Sequence, residues 1–241
     1  MEDQTEKKIT NLIPAGMIND LTVMILVNAI YFKGSWTHPF KEANTRKSQF
    51  YIGTKTSVDI DMMHLTGDKK LRSGMFDELD CKLVELPYGD KKMSMTILLP
   101  NKRDGLSALE AKLTPELLAM AVKHLSGRFM LRLALPKFRL EYEFTVNGVL
   151  QALGMNNVFI EGKADLSGLD GTRNLHISQV IHKAFIDVNE LGTEAAAATG
   201  IGIELMSMPM PLEVNCDHPF MFIIKDISGS VLFMGRFMKP A

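Results

Sequence analysis

The side chains that could catalyse a reaction or bind a metal ion are few in this sequence and widely spaced. Six histidines are present, and none of them belongs to an H-E-x-x-H zinc motif. The sequence also lacks a C-x-x-C pair, a G-x-S-x-G nucleophile elbow, and the glycine-rich loops that bind phosphates or dinucleotides. A Ser-His-Asp triad assembled from distant positions would leave no local motif. The motifs therefore indicate a protein that is not an enzyme and holds no metal or other cofactor.

One segment, residues 190–211, has a composition and a position that favour a function. It follows a predicted strand directly and is long for a loop within a compact domain. If the segment is extended, one face carries small residues and then apolar ones, namely Thr193, Ala195, Ala197, Thr199, Ile201, Ile203 and Leu205. The other face carries Glu194, Ala196, Ala198, Gly200, Gly202 and Glu204.

This segment has the pattern of a strand with one buried face and one solvated face. No proline lies between Glu190 and Ser207, so every backbone N–H there could join a β-ladder. The same alanine-rich run would also suit a short helical or flexible connection. Both interpretations stay open on the residues alone.

The elements that must position this segment belong to a chain of ordinary globular composition. The chain has 241 residues, of which 46% are hydrophobic and 23% charged, and this apolar content excludes disorder. A net charge of -1 gives no electrostatic reason to expect nucleic acid or an anionic membrane as a partner. The charged first residues are not a secretory signal. Two cysteines, Cys81 and Cys216, allow at most one disulfide.

Hydrophobic patterning predicts a mixed α+β fold with mostly antiparallel strands, in one domain over residues 1–241. Strand patterns occupy residues 22–32, 46–65, 71–99, 128–135 and 176–188, and two closing strands are expected within residues 219–237. Helical patterns occupy residues 106–113, 115–125 and 146–153, with Thr114 as the cap of the second helix. Residues 22–32 are almost entirely apolar, so we expect that strand to be buried on both faces.

Three parts of the sequence together resemble the serpins, a family of serine protease inhibitors. They are Val27-Asn-Ala-Ile-Tyr-Phe-Lys-Gly-Ser-Trp36, Glu190-Leu-Gly-Thr-Glu-Ala-Ala-Ala-Ala-Thr199, and Asp217-His-Pro-Phe-Met-Phe-Ile-Ile with Phe233-Met-Gly-Arg. The resemblance extends over nearly the whole chain, in the family's order and spacing. It implies the serpin fold, a metastable α+β fold of mainly antiparallel sheets with helices and an exposed reactive-centre loop.

The resemblance also implies a mechanism and a partner. A serine protease would cleave the loop and stay bound as a covalent acyl-enzyme when the loop inserts into the main sheet. By the family's spacing from Gly192, the reactive bond is Met206–Ser207. An unbranched apolar methionine suits the primary pocket of an elastase-like or chymotrypsin-like protease.

Several other residues match positions that the family uses to control loop insertion. Glu190 and Gly192 match the proximal hinge, which continues through Thr193, Glu194, Ala195, Ala196, Ala197, Ala198 and Thr199. Asn28 and His182 match the shutter under the main sheet, and Trp36 matches the breach at its top. Lys137 is expected near Glu190.

The resemblance also defines what the chain is expected to lack. The family has several helices and two strands of the main sheet before the position of Met1, so those elements should be absent. We therefore expect an open apolar strand edge and a tendency to oligomerise or aggregate, whereas the full-length form would be a monomer. The alternatives are a non-inhibitory binding or chaperone protein with the serpin fold, and an inactive truncation. The resemblance favours secretion, with the cytoplasm as the alternative.

Overall fold

The computed structural model describes residues 9, 13, 16–67, 71–89, 91–127, 130–192 and 211–240. Contacts divide the chain into two compact units, Met1–Phe32 with Arg139–Ile186 and Lys33–Phe138 with Asp187–Ala241. The expectation of one domain over residues 1–241 stays a prediction. Within the described part of the chain, no helix is both long enough and apolar enough to cross a membrane.

The described residues form twelve strands and four α-helices. The strands are β1 (Ile25–Phe32), β2 (Arg46–Tyr51), β3 (Ser57–Gly67), β4 (Ser73–Phe76), β5 (Cys81–Pro87), β6 (Met93–Pro100), β7 (Leu131–Pro136), β8 (Phe138–Thr145), β9 (Gln179–Val188), β10 (Leu212–Asn215), β11 (Phe220–Asp226) and β12 (Val231–Phe237). The helices are α1 (Leu106–Lys112), α2 (Pro115–His124), α3 (Asn147–Ala152) and α4 (Ser167–Asp170). The predicted α+β class is confirmed.

The first unit contains a three-stranded sheet in the order β1-β9-β8. β1 runs parallel to β9, with Ile25 opposite Gln179 at one end and Phe32 opposite Ile186 at the other. At the amino end of α3, the Asn147 side chain donates to the Ser178 carbonyl (3.0 Å) and accepts from the Val180 N–H (2.8 Å). These two bonds fix the start of β9.

The prediction for residues 22–32 is wrong in two respects. The strand begins at Ile25 rather than at residue 22, and it is not buried on both faces. Leu26 is 39% exposed and Asn28 is exposed as well. The apolar composition suggested a strand with a neighbour on each side, but in the described sheet β1 pairs with β9 alone, which agrees with the open strand edge that the resemblance implies.

The second unit contains a four-stranded sheet, β10-β7-β3-β2, and a five-stranded sheet, β12-β11-β6-β5-β4. α1 and α2 pack on one face of the five-stranded sheet and bury its central apolar side chains. This core includes Leu83, Leu98, Met221, Ile223, Leu106, Leu109 and Ala121. Among the described ladders with an assigned register, β1 with β9 and β10 with β7 are parallel and the other six are antiparallel, so the predicted preference for antiparallel pairing is confirmed.

Local signals in the sequence explain how several elements begin and end. The Thr114 side chain accepts a hydrogen bond from the Leu117 N–H (3.2 Å), and Pro115 occupies the first position of α2, as predicted. The strands β11 and β12 are joined through Gly229, whose φ of +89° is in the left-handed region that favours glycine. The Thr114 cap and the two closing strands are thus confirmed.

Candidate functional site

The chain turns sharply directly after β9, at Asn189–Gly192, which we call the hinge junction. The Asn189 carboxamide oxygen accepts from the Leu191 N–H (3.1 Å), and the Gly192 N–H donates to the Asn189 carbonyl (3.2 Å). Asn189 and Gly192 also form an isolated antiparallel bridge. The chain has therefore begun to reverse its direction when it leaves β9.

Glu190 is the buried charged residue of the hinge junction. Its carboxylate forms an ion pair with the Lys137 ammonium (2.9 Å) and accepts a hydrogen bond from the Thr45 hydroxyl (2.9 Å). Its carbonyl accepts from the Phe40 N–H (2.8 Å). The Glu190 side chain is 6% exposed, whereas that of Lys137 is 47% exposed. The expectation that Lys137 lies near Glu190 is confirmed.

The protonation equilibria of this pair follow from its contacts. Burial raises the pKa of Glu190, but the hydrogen bonds from Lys137 and Thr45 and the Lys137 charge outweigh it, so the net pKa is lowered. The hydrogen bond to Glu190 raises the pKa of Lys137. Both shifts favour the charged forms, so the ion pair is maintained near neutral pH.

Gly192 occupies a position that no other residue fits. Its φ is +82°, and a Cβ atom there would lie 2.4 Å from the Trp36 backbone nitrogen and 2.5 Å from the Gly34 carbonyl oxygen. Both neighbouring atoms belong to the backbone, so a rotamer change cannot relieve the overlap. Gly192 matches a hinge position by resemblance, and the structure supplies a steric reason for glycine there.

Trp36 holds the hinge junction from its other side. Its indole N–H donates to the Asn189 carbonyl (2.9 Å), and its backbone N–H donates to the Leu191 carbonyl (3.1 Å). The ring is 4% exposed and stacks on Tyr88 with centroids 4.4 Å apart. Phe40 contacts the same ring edge-on at 6.4 Å. The only tryptophan of the chain therefore anchors this turn.

Asn28 and His182 face each other across the parallel pair of β1 and β9, which we call the β1–β9 seam. They are opposite residues in the register of this ladder. The Asn28 carboxamide Nδ2 donates to His182 Nδ1 (3.1 Å), so the imidazole accepts at Nδ1. The His182 ring also packs edge-on against Phe144 (5.5 Å). The structure thus brings the two predicted shutter residues together.

The remaining predicted site residues lie outside the described part of the chain. They are Thr193, Glu194, Ala195, Ala196, Ala197, Ala198, Thr199, Met206 and Ser207. Their assignment to the hinge and the reactive bond stays a prediction.

The hinge junction also contains residues that the sequence analysis missed. Asn189 precedes the predicted hinge, and asparagine is common in turns because its side chain can bond to the backbone two residues further on. That signal could have identified it. No pattern in the sequence indicates that Thr45 or Phe40, which are far from Glu190 along the chain, would bond to it.

Comparisons with known proteins agree on one family. The family model described as serpin (serine protease inhibitor) matches residues 1–240. The chain is 42% identical over 247 residues to human leukocyte elastase inhibitor, and the alignment covers 100% of the chain and 64% of that protein. The chain therefore spans less than two thirds of the length of this relative.

Two solved structures resemble the fold over its whole described extent. Serpin48 from the insect Tenebrio molitor has a TM-score of 0.86 at 38% identity, with 100% of this chain and 62% of that chain covered. Human thyroxine-binding globulin, solved in complex with its ligand, has a TM-score of 0.86 at 29% identity. The match covers 99% of this chain and 62% of that chain.

Proposed function

Because the chain belongs to the serpin family, we propose that the protein inhibits a serine endopeptidase by acting as its suicide substrate. The protease cleaves the segment that follows Gly192, and the freed segment inserts as a new strand between β1 and β9. Insertion traps the acyl-enzyme before water hydrolyses it. The chain spans 64% of its human relative, so the proposal concerns the activity of the whole protein.

The observation that carries this proposal is the hinge junction. Its bonds to Trp36, Thr45 and Lys137 fix the start of the segment beside the end of β9. The antiparallel bridge between Asn189 and Gly192 already turns the chain back toward β9. In the proposed inserted state, a strand that starts from this turn would run antiparallel to β9.

The β1–β9 seam is a suitable place for such a strand. β1 and β9 are parallel, so an inserted strand antiparallel to β9 is antiparallel to β1 as well. Insertion exchanges one parallel ladder for two antiparallel ladders, and antiparallel pairing is slightly more stable per residue. The bond between Asn28 and His182 must open first.

The sequence of the segment agrees with insertion. Its alternating small residues Thr193, Ala195, Ala197 and Thr199 would lie on one face of an extended strand. Small side chains can be buried in a sheet interior without displacing neighbours, whereas large or charged ones cannot. This pattern supports an inhibitor over a protein whose loop stays outside the sheet.

We further propose that the protease cleaves between Met206 and Ser207. A methionine side chain is apolar and unbranched, and it suits an apolar primary pocket. The name of the human relative, leukocyte elastase inhibitor, supports a target of the elastase type. A chymotrypsin-like protease is compatible with the same residue.

The experiment incubates the full-length natural protein with an elastase-type protease and separates the products on a denaturing gel. We expect a complex that survives denaturation, and sequencing of the small released fragment should give Ser207 as its first residue. Met206→Arg should transfer inhibition to a trypsin-like protease, because its acidic pocket pairs with arginine. If neither the natural protein nor Met206→Arg forms a stable complex with an elastase-type, a chymotrypsin-like or a trypsin-like protease, the proposal is contradicted.

A second candidate function is that of a binding protein with the serpin fold. It is favoured by the similarity to thyroxine-binding globulin, which was solved in complex with its ligand. Such a protein would be cleaved by the protease or ignored by it, without a covalent complex. The same gel therefore separates an inhibitor, which forms the complex, from a binding protein or an inactive form, neither of which does.

For the location of the protein, we propose secretion, with the cytoplasm as the alternative. Cys81 and Cys216 are both free and buried, and burial raises the pKa of the Cys81 thiol to about 12. Thiols in this state are chemically inert and suit either compartment. Fractionation of expressing cells and their medium distinguishes the two locations.

A further inference from the structure

Asn147 and Gly148 form the only Asn-Gly pair in the sequence. Glycine has no Cβ, so its backbone nitrogen approaches the preceding side chain with little steric hindrance. This nitrogen can attack the carboxamide carbon Cγ of the asparagine, and asparagine therefore loses its amide nitrogen faster before glycine than before a larger residue. The structure places the pair at the start of α3, where Asn147 contacts the first residues of β9.

The helix α3 depends on few contacts. It has six residues, all of them described and none of them buried. It follows Val146, whose apolar side chain cannot cap the amino end of the helix. Gly148 is exposed, and glycine lowers helix propensity further. A helix this short is not stable by itself, so local opening of α3 should cost much less than global unfolding.

Three hydrogen bonds between described residues attach the start of α3 to β9. The Asn147 carboxamide nitrogen donates to the Ser178 carbonyl (3.0 Å), and the carboxamide oxygen accepts from the Val180 N–H (2.8 Å). The Val146 N–H donates to the Val180 carbonyl (2.9 Å). Both ends of the carboxamide are therefore bonded to β9, and these bonds must break before Cγ can rotate onto the Gly148 nitrogen. The fold thus protects Asn147 for as long as α3 stays attached.

We propose that Asn147 is a site of spontaneous deamidation, and that the reaction proceeds when α3 separates from β9. The Gly148 nitrogen forms a bond to Asn147 Cγ, and the bond between Cγ and Nδ2 breaks. The carboxamide nitrogen leaves as ammonia and takes up the proton that the Gly148 nitrogen loses. Water then opens the five-membered imide at either carbonyl and gives aspartate or isoaspartate. Water is the co-reactant, and neither a protease nor the hinge junction takes part.

The product cannot restore the attachment of α3. A carboxylate accepts from the Val180 N–H but has no proton for the Ser178 carbonyl, whose oxygen it repels. Isoaspartate also adds one carbon to the main chain before Gly148 and so shifts α3 against β9. The Ser178 N–H donates to the Met24 carbonyl (2.8 Å), just before β1. Deamidation therefore loosens α3 from the start of the parallel pair of β1 and β9.

The test incubates the full-length protein at neutral pH, folded in buffer and unfolded in guanidinium chloride, and follows residue 147 by peptide mass spectrometry. We expect conversion in both samples, slower in the folded protein by about tenfold to a hundredfold, the effect of two hydrogen bonds that must break. Equal rates in the two samples would contradict protection by β9. Absence of conversion in the folded protein, after a time sufficient for a reaction about a hundredfold slower, would overturn the assignment of the site.

Gly148→Ala is the matched control for the chemistry. A Cβ at Gly148 would have no described atom within 4 Å, so this variant should keep the fold and both bonds of the Asn147 side chain. It should slow the conversion in guanidinium chloride, because the new Cβ hinders the attacking nitrogen. Equal rates for the wild type and Gly148→Ala in the unfolded state would show that this nitrogen is not the nucleophile, against the proposal.

A further measurement tests the effect of the modification on the fold. Anion-exchange chromatography isolates the deamidated protein, because it carries one more negative charge than the unmodified form. We expect hydrogen exchange at the Val146 and Val180 amides to be about tenfold faster in the deamidated form, the effect of one lost hydrogen bond. Exchange at the Leu117 amide, which bonds to the Thr114 cap in the second unit, should be unchanged. Equal exchange at Val146 and Val180 in the two forms would contradict the release of α3.

Discussion

The hinge junction and the β1–β9 seam are held together in different ways. At the hinge junction, Glu190 and Trp36 are both buried, and the turn is closed by an ion pair and by several hydrogen bonds. At the seam, the side-chain bond between Asn28 and His182 is exposed, and β1 is partly exposed along its length. The polar contacts of the hinge junction are therefore buried, whereas the side-chain bond across the seam is open to solvent.

This difference is what a loop-insertion mechanism requires. The segment must start from a fixed point, because a displaced start would change its register in the sheet by one residue and exchange its faces. The seam must open without unfolding the rest of the unit, so its side-chain contacts should be weak.

The largest effect is expected from Gly192→Ala. The new Cβ would lie 2.4 Å and 2.5 Å from backbone atoms, in addition to the cost of a positive φ. Gly229→Ala is the matched control, because its φ is +89° and nothing lies within 4 Å of the new Cβ. We expect a loss of about 1–2 kcal/mol of unfolding free energy for the control and about 2 kcal/mol more for Gly192→Ala. Urea denaturation measures both, and equal losses would contradict the packing argument.

Removal of the hinge ion pair should have the second largest effect. Lys137→Met leaves the buried Glu190 carboxylate without its cation, and we expect a loss of about 1–2 kcal/mol because Lys137 is half-exposed. Lys47→Met breaks the ion pair with Asp61, in which both side chains are exposed, and should cost about 0.5 kcal/mol or less. A larger loss of unfolding free energy for Lys47→Met than for Lys137→Met would contradict a stabilising role of the ion pair between Lys137 and Glu190.

Acid should weaken the hinge junction selectively. The pKa of Glu190 is lowered from 4.5 in the folded state, so its contribution is fully present above that value. The contribution is lost as the pH falls through the lower pKa of the folded state. The stability difference between the wild type and Glu190→Gln should therefore be constant near neutral pH and decrease in acid. A difference that stays constant throughout the acid range would show that the Glu190 charge does not stabilise the fold.

The smallest effect is expected at the seam. A double-mutant cycle of Asn28→Ala and His182→Ala should give a coupling energy of about 0.5–1 kcal/mol, since the bond is exposed. Both single variants should also accelerate loop insertion, which the rate of formation of the covalent complex reports. A coupling energy of zero, together with an unchanged rate of complex formation, would show that the bond between Asn28 and His182 does not control loop insertion.

Much of the fold could be predicted because its signals are local. The Thr114 cap and the alternation along β3 depend on neighbours within a few residues. The exposure of β1 could not be predicted from its own apolar composition, because it depends on which strands lie beside it, and only the resemblance implied an open edge.

The candidate site likewise combines features that the sequence indicates with features that only long-range contacts explain. Gly192 and Glu190 were assigned by resemblance, but the reasons for these residue types lie far along the chain, in the backbone at Gly34 and in Thr45 and Lys137. Only the three-dimensional packing shows that Gly192 has no room for a Cβ. Sequence patterns describe a residue's own preferences, and long-range contacts determine whether those preferences are used.

The most direct measurement of the central claim compares Thr193→Arg with Glu194→Arg in the full-length protein. Thr193 belongs to the face of the segment that would be buried on insertion, and Glu194 belongs to the opposite, solvated face. We predict that Thr193→Arg abolishes the covalent complex with an elastase-type protease and turns the protein into a cleaved substrate, because a buried unpaired arginine is costly. Glu194→Arg should keep most of the complex. Equal yields of complex from the two variants would contradict insertion of this segment into the sheet.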